Sequence, residues 1–139
     1  MSKISPLAPE HFPYMPEIEG VLLGTAATGM KYKNRDDLLL VSFPGGAAVA
    51  GVFTKSKCFS APIGWCRGVL SSSKNARALL VNAGNANAFT GEAGDNALAE
   101  TVDSTAQALA CEKDQVFVAS TGVIGEVLDA KLICEHISH

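Results

Sequence analysis

Short apolar runs alternate with clusters of glycine, proline and asparagine along this chain, and that punctuation predicts strands early and helices late. In residues 1–16, Pro6, Pro9, Pro13 and Pro16 deny helix hydrogen bonds and set extended φ values, so an irregular arm is expected. Between 18 and 30, Gly20, Gly24 and Gly29 interrupt Val21-Leu22-Leu23, the pattern of a strand entering a tight turn, and 31–37 follows as a charged loop. Asp37 to Phe43 is closed by Pro44-Gly45-Gly46, and Ala47 to Phe53 follows at once, which reads as a β-hairpin. Neither arm alternates cleanly with polar residues, so this sheet is expected to be covered on both faces.

Pro62 can open a helix over 63–70, because its missing N–H lacks a partner in a first turn anyway. Gly64 and Gly68 weaken that helix, and Trp65 is expected in a core or, as the alternative, at an interface. A loop over 71–75 leads to a buried strand at 76–81. From Gly94-Asp95-Asn96 to about Cys111 the chain shows a helical stripe of Leu98, Val102, Thr105, Ala106 and Leu109, with Asp95 or Asn96 as its cap. A strand over 115–119 and a second helical pattern over 126–137 complete the reading. The expected fold class is α/β or α+β, a layered sandwich of mixed sheet covered by helices, with an arm at 1–16 and a domain portion at 17–139.

Composition narrows the function classes more than it names one. With 139 residues, 47% hydrophobic and 18% charged, the chain reads as one globular domain or a piece of a larger one. Its net charge of −3 and scattered basic residues speak against a nucleic-acid or membrane partner. No apolar run approaches the ~20 residues that span a bilayer, and the N-terminus has neither signal-peptide nor transit-peptide character, so the expected location is the cytoplasm. Cys58, Cys66, Cys111 and Cys134 are far apart and share no ligand-like spacing with the histidines; buried free thiols are expected, and no metal site.

Two polar stretches follow apolar strands. In Asn82-Ala83-Gly84-Asn85-Ala86-Asn87-Ala88-Phe89-Thr90-Gly91, Asn82, Asn85 and Asn87 can saturate a turn with side-chain hydrogen bonds or present amides to a substrate; spacing alone leaves both open. In Ala119-Ser120-Thr121-Gly122-Val123-Ile124-Gly125, two hydroxyls and two glycines sit between a strand and a helical pattern. That stretch is either a capped strand-to-helix turn or a backbone-exposing site for an anion or a developing oxyanion. Gly91-x-x-Gly94 is half of a phosphate loop without its lysine, and the adjacent Asp36-Asp37 pair reads as solvated acids rather than a catalytic couple. Neither a nucleophile elbow nor a Ser/His/Asp set can be assembled.

Four stretches in order carry a resemblance. Gly29-Met30-Lys31 with Asp37-Leu38-Leu39-Leu40, Val52-Phe53-Thr54 with Ala61-Pro62, Asn82 to Ala88 with Thr90-Gly91, and Ser120-Thr121-Gly122-Val123-Ile124-Gly125 resemble the N-terminal part of an ornithine acetyltransferase, the ArgJ family of arginine biosynthesis. The resemblance covers nearly all of the chain from about Ile18. It implies an acyltransferase that moves acetyl from N-acetylornithine to glutamate, with acetyl-CoA as a further co-substrate in bifunctional members and no cofactor. It also implies a precursor that cleaves itself before a threonine, which then carries the acetyl group, and an α/β heterotetramer. By the family's pattern Thr121 and Gly122 form the oxyanion hole, while the nucleophile and the substrate-binding lysine, glutamate, asparagine and threonine match nothing in these 139 residues. The 139 residues alone are therefore expected to be an inactive α-chain-like fragment that self-associates through uncovered apolar surface. Two other readings stand beside it: a related self-cleaving aminopeptidase or amidohydrolase, and a non-catalytic binding or regulatory remnant.

Overall fold

A computed structural model describes residues 6–72 and 75–137. Four strands, β1 (Leu22–Ala26), β2 (Leu38–Ala48), β3 (Asn75–Asn85) and β4 (Val116–Val123), form one sheet in the order β1-β2-β3-β4. The first two pairings are antiparallel, and β3 pairs β4 in parallel. Helix α1 (Ala61–Ser72) precedes β3, α2 (Gly91–Ala108) is the crossover between the parallel strands, and α3 (Ala130–Ile137) packs against α2. A parallel pair needs such a crossover, so the β3-α2-β4 unit follows from the topology itself.

Positions 76, 78 and 80 of β3 are buried, and their side chains join Ala97, Leu98, Val102 and Ala106 of α2 and Ile133 of α3 in a single core. The stripe on α2 is the one the sequence predicts. Coverage of the other sheet face is only partial, with Leu79 and Val81 half-buried, and β1 is uncovered on both faces, leaving Leu22 61% and Leu23 72% exposed. The expectation of a sheet covered on both faces holds for β4, where Val116, Phe117 and Val118 are all buried, and fails at β1.

The predicted hairpin is not formed. Pro44, Gly45 and Gly46 lie inside β2, whose register against β3 shifts between Ser42 and Ala47. They make a bulge opposite β3 rather than a reversal, since both flanks of β2 pair with the same neighbour: Ser42 with Ala78, and Ala47 with Ala76. Proline is tolerated there because a bulge frees its position from the ladder. Helix α1 begins at Ala61 with Pro62 in its first turn, as expected, and runs through Ser71 and Ser72; residues 73 and 74 of the predicted loop lie outside the described residues.

Along the outer edge of β4, α1 supplies the partners that another strand would give. Trp65 Nε1–H donates to the Val116 carbonyl at 2.8 Å, and Cys66 Sγ lies 3.2 Å from the Val118 carbonyl and 3.3 Å from its N–H. Covering an edge in this way blunts its capacity to pair with other chains. Trp65 is thus half-buried at the core margin, with its polar atom engaged. Cys66 is the buried thiol, whereas Cys111 and Cys134 are half-buried and Cys58 is exposed, against the expectation for that residue. Residues 6–16 contain neither helix nor strand and are exposed throughout. No described helix is long and apolar enough to cross a membrane.

Candidate functional site

Both polar stretches begin inside strands rather than in loops following them. β3 continues through Asn82, Gly84 and Asn85, and β4 continues through Ser120, Thr121 and Gly122 to Val123. Their register pairs Asn82 with Ser120, Ala83 with Thr121 and Gly84 with Gly122, so the two motifs meet side by side at the C-terminal end of a parallel pair. Carboxyl ends of parallel strands are where open α/β sheets place their ligands. The capped strand-to-helix turn is thereby corrected: residues 124–126 form a bend, and α3 begins only at Ala130 rather than at Glu126.

Each asparagine is buried and engaged at both ends of its amide. Asn82 Nδ2 donates to the Asn85 carbonyl (2.8 Å) and toward Met30 Sδ (3.5 Å), and its Oδ1 accepts the Ser120 hydroxyl (2.6 Å). Asn85 Nδ2 donates to the Glu126 carbonyl, and its Oδ1 accepts the Asn87 N–H at 2.7 Å. Asn87, fully buried, donates to the Gly94 carbonyl and accepts the Thr90 hydroxyl. These bonds hold the turn by its own side chains, each asparagine using both its amide oxygen and its amide nitrogen.

α2 opens at Gly91 and not at the predicted Gly94-Asp95-Asn96, and the Gly94 N–H already donates to the Thr90 carbonyl at 3.4 Å. Thr90 occupies the N-cap position, but its hydroxyl is committed to Asn87 and makes no capping bond. Asp95 and Asn96 are exposed positions within the helix. Phe89 adopts a left-handed backbone (φ 58°) and is 72% exposed beside this turn.

Thr121 and Gly122 are exposed near the end of β4, between half-buried Ser120 and Val123. Gly122 has φ 137°, and a Cβ there would overlap the Gly84 carbonyl group and approach the Asn85 nitrogen to 2.5 Å. Gly84 in turn has φ 118°, with the Lys31 Cβ 3.0 Å from where its own Cβ would stand. Only glycine satisfies both conformations and both contacts. The result is a backbone stack, Lys31 over Gly84 over Gly122, with Thr121 beside it. Lys31 Nζ lies 3.8 Å from Glu126 Oε1; both side chains are well exposed, so this pair contributes little to stability.

Asp37, expected as a solvated acid, is buried at 4% exposure and accepts N–H bonds from Thr28 (2.7 Å) and Met30 (2.9 Å). An open cleft of about 900 Å³ lies between α1 and α2, lined by Phe59, Trp65, Asn87, Phe89 and Asp95, and does not include Thr121 or Gly122. A smaller apolar cavity of about 260 Å³ lies beneath the β2 bulge beside Cys66, whose thiol pKa is raised by burial, with the Val118 N–H opposing. Among the described residues no three His, Cys, Asp or Glu side chains converge as a metal site would require.

A parallel strand pair ending in saturated asparagines on one strand and an exposed hydroxyl-glycine pair on the other defines a helix-covered α/β domain with a backbone-lined polar strand end. Residues 22–139 match the sequence model of the ArgJ family, and the chain belongs to that family. It is 58% identical over 129 residues to the arginine biosynthesis bifunctional protein ArgJ of Bradyrhizobium diazoefficiens, covering 93% of this chain and 31% of that protein. It is 60% identical over 126 residues to the protein of the same name from Mesorhizobium japonicum, covering 91% and 30%. The chain thus spans about a third of the length of these curated relatives. Among solved structures, the Bacillus halodurans ArgJ protein superimposes with a TM-score of 0.82 at 30% identity, over 87% of this chain and 63% of that one. The Mycobacterium tuberculosis ornithine acetyltransferase complexed with ornithine gives the same TM-score at 35% identity, over 87% and 65%.

Proposed function

We propose that this chain supplies the oxyanion-stabilising strand end of an acetyltransferase that moves acetyl from N-acetylornithine to glutamate in arginine biosynthesis. The observation that carries the reading is the exposed Thr121–Gly122 pair beside a hydrogen-bond-saturated wall, with its backbone seated on Gly84. Acyl transfer develops negative charge on a carbonyl oxygen, and fixed donors aimed at that oxygen lower the barrier; losing one costs ~3 kcal/mol. The Thr121 hydroxyl and the Gly122 N–H are the donors in this reading. Continued to position 122, the alternation that turns the Val116 and Val118 carbonyls outward toward α1 would turn the Gly122 N–H away from β3.

The remaining parts of the reaction come from sequence outside these 139 residues. A threonine nucleophile would carry the acetyl group between donor and acceptor, and acetyl-CoA would serve as a second acetyl source. The reaction needs no cofactor. The assembly is an α/β heterotetramer with a β-chain-like partner, and the compartment is the cytoplasm. The three asparagines act as the wall of the site rather than as substrate ligands.

A chimera tests this function. Residues 22–139 replace the matched segment of the Bradyrhizobium diazoefficiens relative, and transfer from N-acetylornithine to glutamate is assayed. Turnover comparable to that of the unaltered relative is expected. A folded chimera without turnover, or one that only hydrolyses N-acetylornithine, would overturn the reading, the second outcome in favour of an amidohydrolase.

A further inference from the structure

Carboxylates are seldom buried unless donors hold them, and Asp37 is held from two sides. Its side chain accepts the Thr28 and Met30 N–H groups, one on each oxygen, while its main-chain carbonyl accepts the Ala83 N–H at 2.8 Å. One residue therefore ties the 28–30 turn to the polar end of β3. Gly29, at φ 76°, makes that turn tight, and the Thr28 hydroxyl accepts a further bond from the Met30 N–H.

What the turn delivers is specific. Asn82 Nδ2 reaches Met30 Sδ at 3.5 Å, and Lys31 Cβ, Lys31 N and Met30 Cγ lie 3.0, 3.6 and 3.7 Å from where a Gly84 Cβ would stand. Beneath Gly84 lies Gly122. Glycine is the least conformationally restricted residue, so neither Gly84 nor Gly122 holds its own position; contacts must do it. Gly122 is backed by Gly84, and Gly84 is backed by the turn that Asp37 anchors.

We propose that Asp37 is a positioning residue for the Thr121–Gly122 oxyanion site, acting through the 28–31 turn and Gly84. The proposal rests on the oxyanion reading above. Asp37 touches no reacting atom; it fixes where the Gly122 backbone sits. A donor displaced by about 1 Å loses on the order of a hundredfold in rate, so a brace two contacts away has leverage on turnover without touching substrate.

The test uses the chain and the chimera together. In the isotope-labelled 139-residue chain, Asp37→Asn keeps the shape but turns a donor toward one of the two N–H groups. Faster exchange of the Thr28 and Met30 amides is expected, together with shifted Gly84 and Gly122 resonances, while Val102 and Ile133 stay unchanged. An unmoved Gly122 resonance overturns the proposal. If Asp37→Asn does not fold, Lys31→Gly removes the Cβ that rests on Gly84 and leaves the Asp37 bonds in place. It should shift Gly122, whereas Lys31→Ala, which keeps the Cβ but loses the ion pair with Glu126, should not; equal responses to both overturn the proposal.

In the chimera, Asp37→Asn should lower kcat at least about tenfold with KM nearly constant, the split expected when positioning and not binding is lost. A raised KM at constant kcat contradicts it. Thr121→Ala in the same chimera judges the oxyanion reading separately: an unchanged kcat there sinks that reading, while the Gly122 amide response still reports whether Asp37 positions it.

Discussion

Two halves of the same strand pair are held together by different physics. In the first half, Ala78 faces Val116, Leu79 faces Phe117 and Leu80 faces Val118, and cohesion comes from apolar surface removed from water. In the second half, Asn82 faces Ser120, Ala83 faces Thr121 and Gly84 faces Gly122, and cohesion comes from saturated amides and from glycines whose backbones touch. The first half is packed by apolar side chains, and in the second a Cβ at Gly122 would collide with the Gly84 backbone. Removing side chains from a strand end exposes main-chain donors, and the saturated asparagines keep that opening from collapsing.

The sharpest way to break this comparison is truncation in the apolar half. Phe117, 8% exposed, fills the space beside the α1 edge contacts, and Phe117→Ala should lower stability by about 3–5 kcal/mol, read from urea denaturation. A loss below about 1 kcal/mol would show that burial does not hold this half. Next comes Gly122→Ala in the polar half. The added Cβ overlaps Gly84 at a backbone angle that L residues avoid, so a loss of about 1–3 kcal/mol is expected, together with loss of turnover in the chimera. Wild-type stability for Gly122→Ala would mean that the glycine stack is loose.

The smallest effect is a pH dependence. Burial raises the Cys66 thiol pKa from its ordinary value of 9.0, while the Val118 N–H lowers it by less. Because the folded-state pKa is the higher one, the contribution is fully present below the unfolded pKa and is lost as pH rises toward the folded value. Urea midpoints should therefore fall more steeply above pH 9.0 for wild type than for Cys66→Ala; parallel slopes would remove this thiol from the edge contact.

The sequence made the ordinary elements legible and the special ones only in outline. The α2 stripe from Leu98 to Leu109, the Pro62 helix start and the β3 core were all readable, because each depends on local period or on a single residue's covalent geometry. Pro44-Gly45-Gly46 misled because a bulge and a reversal use the same residues, and only the shared partner β3 tells them apart. Asp95 and Asn96 look like caps, yet the helix begins a turn earlier at Gly91, with Thr90 at the cap position. Asp37 looked solvated for a related reason: its partners, the Thr28 and Met30 amides, are main-chain groups that no side-chain pattern displays. The Thr121–Gly122 motif was visible as composition, while its place on a strand, paired to the asparagine stretch, came from a parallel register formed across a helix.

One measurement tests the central claim most directly: kcat and urea midpoint for Thr121→Ala in the chimera, measured side by side. Thr121 is exposed and its hydroxyl makes no bond among the described residues, so stability should change by less than about 0.5 kcal/mol. The account predicts a kcat reduced by about a hundredfold to a thousandfold at that unchanged stability. An unchanged kcat would contradict it.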